Sequence, residues 1–316
     1  SFIRNHFDSK KALGISFFTA LLFAIHPVQV ETVCWISASK IVLSTFFYLS
    51  ALICYIQYMR NSKWQYLLAS VVSSILAMGC KEQSVIIVPC LLLFDWMLFK
   101  RNMRSLKVYI EKVYYLIPAI AIFIVTLVAN KNTGEEIIGY TIVDRFIFLC
   151  YSSFKYLLIS AIPFKLSYLY PFPFQVGEKI PMALWIYPFV ILFIGYVIYL
   201  NRRKPLLVFC TLFFILHLLP VLHVIPLPRY VVAADRYLYI PYIAFAIGLS
   251  ILSYHLYERQ RKWILYAGFL YCSYLCVYTA GYAPAWKNSD TLKEHFKEVL
   301  KKRETNLSIN FKHEKQ

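Results

Sequence analysis

Ten apolar bands rich in Leu, Ile, Val, Phe and Tyr divide this chain, at approximately 12–25, 34–59, 64–80, 84–99, 113–129, 146–163, 183–200, 205–222, 237–254 and 263–283. Runs approaching the roughly 20 residues that cross a hydrocarbon core, repeated so often, exclude a soluble core with a polar exterior. In lipid every backbone N–H and C=O must be satisfied within the segment, and a helix does this. The chain is 60% hydrophobic and only 16% charged, where a soluble domain is about a quarter charged. The expected fold class is therefore all-α: a polytopic membrane protein with one integral domain over 1–283 and a polar tail over 284–316.

The sixth band differs from the rest. Lys155 sits near its middle, Pro163 ends it, and Tyr170-Pro171-Phe172-Pro173 follows, all unfavourable for a lipid-facing span. Lys and Arg accumulate in cytoplasmic connections. If 146–163 lies along the outer interface or re-enters while the other nine bands span, segments 1–11, 60–63, 100–112, 201–204 and 255–262 fall inside. These hold 16 Lys and Arg, against 8 in the longer outer connections 26–33, 80–83, 130–182 and 223–236. A spanning sixth band would put Asn201-Arg202-Arg203-Lys204 outside. The expected arrangement is about nine spans plus one interfacial or re-entrant helix, with a cytoplasmic N-terminus and an outer or lumenal tail.

A net charge of +17 raises the question of nucleic acid. The basic residues occupy short inner loops and the tail, not one compact face, so no nucleic-acid partner is expected; the anionic leaflet suffices. All eight cysteines lie in or beside apolar bands, where a thiol behaves as a small hydrophobe. Cys272 and Cys276 are one helical turn apart without an accompanying His or carboxylate, so neither a metal site nor a cofactor is expected. No internal repeat of fixed period runs through the membrane part. Beginning at Ser1, the chain reads as starting part-way through its gene product. Past Trp286 the tail becomes polar, with Leu292, Phe296, Val299 and Leu300 at the spacing of an amphipathic helix.

Chemistry is most plausibly sought where charges border the bands on the outer side. His26 and Glu31, Lys81-Glu82-Gln83, Arg229, and Asp235-Arg236-Tyr237 all adjoin apolar helices directly. Charges at that depth need partners or water, which suggests a shared wet cavity. Each residue also has a structural reading. His26, before the helix-stopping Pro27, can be a helix C-cap favoured by the dipole, or a phosphate or sugar contact with Glu31 orienting it or taking a proton. Lys81 and Glu82 can neutralise each other on the turn after Gly79, or Lys81 can bind a lipid phosphate with Glu82 as a second carboxylate. Asp235 suits an N-cap. Arg229 and Arg236 suit either snorkelling or bidentate phosphate recognition. The aromatics Tyr168, Tyr170, Phe172, Phe174, Trp185 and Tyr187 read as an interfacial belt.

Three motifs in order carry a family resemblance: His26-Pro27-Val28-Gln29-Val30-Glu31-Thr32-Val33-Cys34-Trp35-Ile36-Ser37, Cys80-Lys81-Glu82-Gln83, and Ala234-Asp235-Arg236-Tyr237-Leu238-Tyr239-Ile240-Pro241. Together they resemble the transmembrane and tetratricopeptide-repeat-containing glycosyltransferases and their bacterial relatives, from about Ala12 to the tail. The resemblance implies a GT-C-like bundle that takes a sugar, mannose or another hexose, from a polyprenyl-phosphate carrier. It implies transfer to Ser or Thr hydroxyls of proteins on the outer or lumenal face, in a bacterial inner membrane or the endoplasmic reticulum. Glu31, Glu82 and Asp235 become the catalytic carboxylates; His26, Lys81, Arg229, Arg236 and Tyr237 become substrate contacts. Trp286-Lys287-Asn288-Ser289-Asp290 looks like the lead-in to the family's helical repeats. The sequence departs from the family in two ways: the family's first span and acidic outer loop would precede Ser1, and Lys40 is followed by Ile41 where many relatives have Arg or Lys followed by Asp. Two other classes fit the composition, a transporter or flippase of lipid-linked sugars and a polysaccharide ligase or polymerase with a glycan acceptor.

Overall fold

A computed structural model describes residues 8–129, 139–167, 170–223, 231–259, 261–294 and 297. Among these every regular element is helical, apart from one isolated bridge between Tyr170 and Ala233. In chain order the α-helices are α1 (Ser9–Ile25), α2 (Val30–Cys34), α3 (Ser39–Asn61), α4 (Trp64–Cys80), α5 (Ile87–Met97), α6 (Leu106–Ala129), α7 (Ile142–Ala161), α8 (Ile186–Leu200), α9 (Pro205–Leu218), α10 (Pro241–Arg259) and α11 (Arg261–Tyr282). Every apolar band contains one of them, and short 3₁₀ turns take up several band ends.

Among the described residues four helical stretches are long and apolar enough to cross a bilayer: Ile36–Asn61, Leu106–Ala129, Met182–Leu200 and Lys262–Trp286. Ser9–Ile25 and Pro27–Cys34, bent by 55° at their break, form a fifth if counted as one. Pro27 causes that break. It has no amide hydrogen and forces His26 into extended backbone, with ψ at 127°. The apolar stretches of α8 and α11 are only 6% buried within the protein, against 39% for that of α3. Phe189, Leu192, Phe269 and Leu270 all face outward, the inverse of a soluble helix and the pattern lipid contact requires. Helix α7, which carries Asp144, Arg145 and Lys155, is not among the four.

Small residues let the central helices approach closely. Ser44 on α3 donates to the Ala77 carbonyl on α4 at 2.9 Å, and Ser70 on α4 donates to the Ala51 carbonyl on α3 at 2.7 Å. Tyr115 on α6 adds a bond to Ser70 at 2.8 Å. Around this core α1 packs on α10, α10 on α9, and α7 on α8. Helix α7 starts with a capping box, in which Thr141 and Asp144 satisfy each other's backbone amides. The tail positions Phe296, Val299 and Leu300 lie outside the described residues.

At the end of the bundle that carries the α3–α4 turn and the α5–α6 connection, four charges meet. Asp95 is fully buried, pairs with Lys112 at 2.5 Å and accepts from the Tyr55 hydroxyl at 2.6 Å. Arg101 forks onto both oxygens of Glu111, at 2.5 and 3.1 Å, and lies 3.5 Å from Asp95. These partners explain why α6 begins at Leu106 instead of 113: Glu111 and Lys112 in its second turn are paired, while Lys107 in its first stays exposed. Removing one member of a buried pair strands the other. We expect Lys112→Met to cost about 3 kcal/mol, the lower end of the range for a broken buried pair because Arg101 remains nearby. Loss of the exposed Lys11–Glu258 pair, which solvent screens, should leave the unfolding temperature nearly unchanged. Thermal unfolding in detergent compares the two.

Candidate functional site

The opposite end of the bundle collects most of the charges expected there. Glu31 on α2 is fully buried and takes two hydrogen bonds from one residue: the Arg236 guanidinium donates to Oε1 at 2.5 Å, and the Arg236 backbone N–H donates to Oε2 at 2.9 Å. This joins the first motif to the third across 205 positions of chain. The same guanidinium lies 5.6 Å from the Trp35 ring centre and 5.1 Å from that of Tyr237, within cation–π range.

Asp235, next door, is not the helix cap that its position suggested. Ala234 occupies the cap position of the Asp235–Leu238 turn, and no side chain caps it. The Asp235 carboxyl turns inward, fully buried, and accepts from the Tyr170 hydroxyl at 2.8 Å. Tyr170 is therefore no interfacial belt residue. It is buried, as is Phe174, and so the belt reading fails at both. Backbone bonds fix the geometry: Val232 N–H donates to the Tyr170 carbonyl at 2.9 Å, and Ala234 N–H donates to the Tyr156 hydroxyl at 3.2 Å. The Lys155 ammonium lies 3.8 Å from the Tyr170 ring centre. That accounts for a lysine in the middle of α7, which faces this interior and not lipid.

Lys81 and Glu82 meet on the turn after α4, as the sequence allowed, at 2.7 Å. Burial pushes the Glu82 carboxyl up, but the charge and hydrogen bond of Lys81 outweigh it and hold the group below the ordinary carboxylate range. Lys81, Arg236 and Tyr237 line one cleft of ≈ 30 Å³, together with Gln83 and, from α3 and α9, Tyr48 and His217. That volume admits water-sized occupants; a larger ligand would displace side chains. Glu31 and Glu82 each engage part of their partner's donor set, so both cations retain N–H groups for an anion at the cleft.

Sequence reading missed Tyr48, His217, Ser44 and Ser84. His217 Nδ1 lies 2.8 Å from the Phe213 carbonyl, which can only accept, so Nδ1 carries the hydrogen and Nε2 accepts from the Tyr48 hydroxyl at 2.8 Å. A lone histidine in the apolar band 205–222 was the only available signal. Ser44 and Ser84, 2.7 Å apart through their hydroxyls, gave none.

His26 is brought near but not into the cleft. It closes α1 as expected, yet not as an imidazolium: its Nδ1 accepts from the Val28 N–H at 3.3 Å, which a doubly protonated ring could not do. Its ring packs 4.3 Å from Tyr242. Arg229 and Tyr168 lie outside the described residues. Among the described residues no three His, Cys, Asp or Glu side chains come together as a metal-ligand set, and all eight cysteines are free thiols.

No protein-family model, curated protein or solved structure matches the chain.

Burial, and then the Glu31 carboxylate beside it, push Asp235 well above the ordinary carboxylate range. The fold therefore favours its neutral form. Below the unfolded carboxylate pKa of about 3.9 it carries no penalty, and as pH rises toward the raised value the folded state loses stability. Asp235→Asn, a neutral isostere, should then unfold at a higher temperature than the unmodified protein near pH 8. The advantage should shrink toward about pH 4. A pH-independent difference would contradict the assignment.

Proposed function

We propose that the chain is a membrane glycosyltransferase that moves a hexose from a polyprenyl-phosphate carrier to a protein Ser or Thr hydroxyl, with the cleft on the outer or lumenal side of about nine spans. The observation that carries this reading is the convergence of Lys81, Arg236 and Tyr237, drawn from two of the three resembling motifs, on one cleft. Glu31, from the remaining motif, is bonded to Arg236.

In this reading the acceptor oxygen attacks the anomeric carbon, the bond from that carbon to the phosphate oxygen breaks, and the polyprenyl phosphate leaves with the electron pair. Lys81 and the spare N–H groups of Arg236 stabilise the charge developing on that phosphate. Glu31 aims the guanidinium. Glu82, the carboxylate of this set with the most exposed side chain, takes the acceptor's proton. Asp235, buried and bonded to the Tyr170 hydroxyl, supports the turn.

The buried Asp95–Lys112 pair inside the bundle is the feature a transporter of lipid-linked sugars would build on. Reconstituted proteoliposomes given a polyprenyl-phosphate hexose and a Ser/Thr peptide separate the readings. Transferase action yields glycopeptide, which Lys81→Gln, and the double variant Glu31→Gln/Arg236→Gln that leaves no carboxylate stranded, should each reduce by about 10²- to 10³-fold while the protein stays folded. Donor crossing the bilayer with no glycopeptide would favour transport. Full activity in both variants would remove the phosphate role.

A further inference from the structure

A second cavity, larger than the cleft, lies between α3, α5, α9 and α10 and measures ≈ 360 Å³, within the range of lipid- and drug-sized sites. Leu52, Phe213 and Ile247 are typical of its wall, which is apolar except for Gln57 and Arg60 at the α3 end. It is open along one side and shares no lining residue with the polar cleft. The Tyr48–His217 bond at 2.8 Å lines the cleft, while Phe213, stacked on the His217 ring at 4.0 Å, lines the groove. These three side chains partition the two spaces. An amphiphile whose phosphate sat on Lys81 and Arg236 would have to open that partition to use the groove.

The polar end of the groove is cationic. Arg60 is exposed and has no carboxylate partner among the described residues. Exposed Lys63 follows it on the α3–α4 turn, and exposed Lys100 comes two residues after Leu98, which itself lines the groove. Arg101, the other cation nearby, is already held by Glu111. An apolar furrow between helices, ending at unpaired basic side chains, has the chemistry of an anionic headgroup with its chain. A zwitterionic lipid would bring its own cation beside its phosphate, so the exposed basic side chains here favour a headgroup of net negative charge.

We infer that this groove is a binding site for one acyl chain of an anionic membrane phospholipid whose phosphate meets Arg60, separate from the polar cleft. The site is independent of any transfer reaction at the other end of the bundle.

The test is native mass spectrometry of the purified full chain in detergent, titrated with phosphatidylglycerol, phosphatidylcholine and polyprenyl phosphate in turn. Phosphatidylglycerol should be retained about fivefold or more over phosphatidylcholine, as one basic contact of roughly 1 kcal/mol requires. Arg60→Gln should abolish that preference, and Ile247→Trp, which fills the groove, should reduce retention of both phospholipids. Arg60 is exposed, so its variant tests the site even if Ile247→Trp fails to fold. Equal retention of the two phospholipids, or an intact preference in Arg60→Gln, overturns the site. Stronger, Arg60-dependent retention of polyprenyl phosphate overturns the choice of occupant.

Discussion

The bond between Glu31 and Arg236 is the contact on which the polar end of this molecule depends. A fully buried carboxylate is tolerable only when paired and hydrogen-bonded, and Glu31 obtains both from one residue, through its guanidinium and its backbone amide. The double attachment fixes the turn Asp235–Leu238 against α2. It thereby sets where Tyr237 and the rest of the guanidinium stand at the cleft. Asp235 is carried inward by the same turn, onto Tyr170, and Tyr170 in turn gives Lys155 a ring to sit on. Glu31, Arg236, Asp235, Tyr170 and Lys155 thus form one connected unit built from three distant parts of the chain.

The bilayer explains the remaining architecture. Helices α6, α8 and α11 expose their apolar side chains because lipid takes the place of a protein core there. The central helices α3 and α4 are held by serine-to-carbonyl bonds and small side chains, since no hydrophobic gain drives helices together in lipid. Among the described residues, most buried charge lies in two groups, the Asp95–Lys112–Arg101–Glu111 network at one end and the Glu31–Arg236 unit at the other. Each is tolerable because its charges are cross-paired.

Much of this was legible in sequence, because band length and the residues that stop bands are local properties. Pro27 ended α1 where expected, and every band contains a helix. The Lys81–Glu82 contact was readable because adjacent residues on a turn can meet. Four things were not readable. The role of Asp235 was misassigned because its position fits a cap, and only the distant Tyr170 reveals that it faces inward. Tyr170 and Phe174 resembled a belt because an aromatic beside proline gives no sign of burial. His217 and Tyr48 lie far apart in sequence, and their bond depends on how α3 and α9 cross. Helix α6 extended past its band because Glu111 and Lys112 find partners that hydropathy cannot anticipate.

The central claim is that Glu31 and Arg236 are coupled and not merely adjacent. A double-mutant cycle on unfolding free energy, with Glu31→Gln, Arg236→Gln and the double variant, measures this directly. Because the backbone N–H of residue 236 still reaches position 31 in every variant, the cycle isolates the guanidinium. A coupling energy of about 2 kcal/mol or more is the predicted result. Single losses that add within about 0.5 kcal/mol would contradict the account.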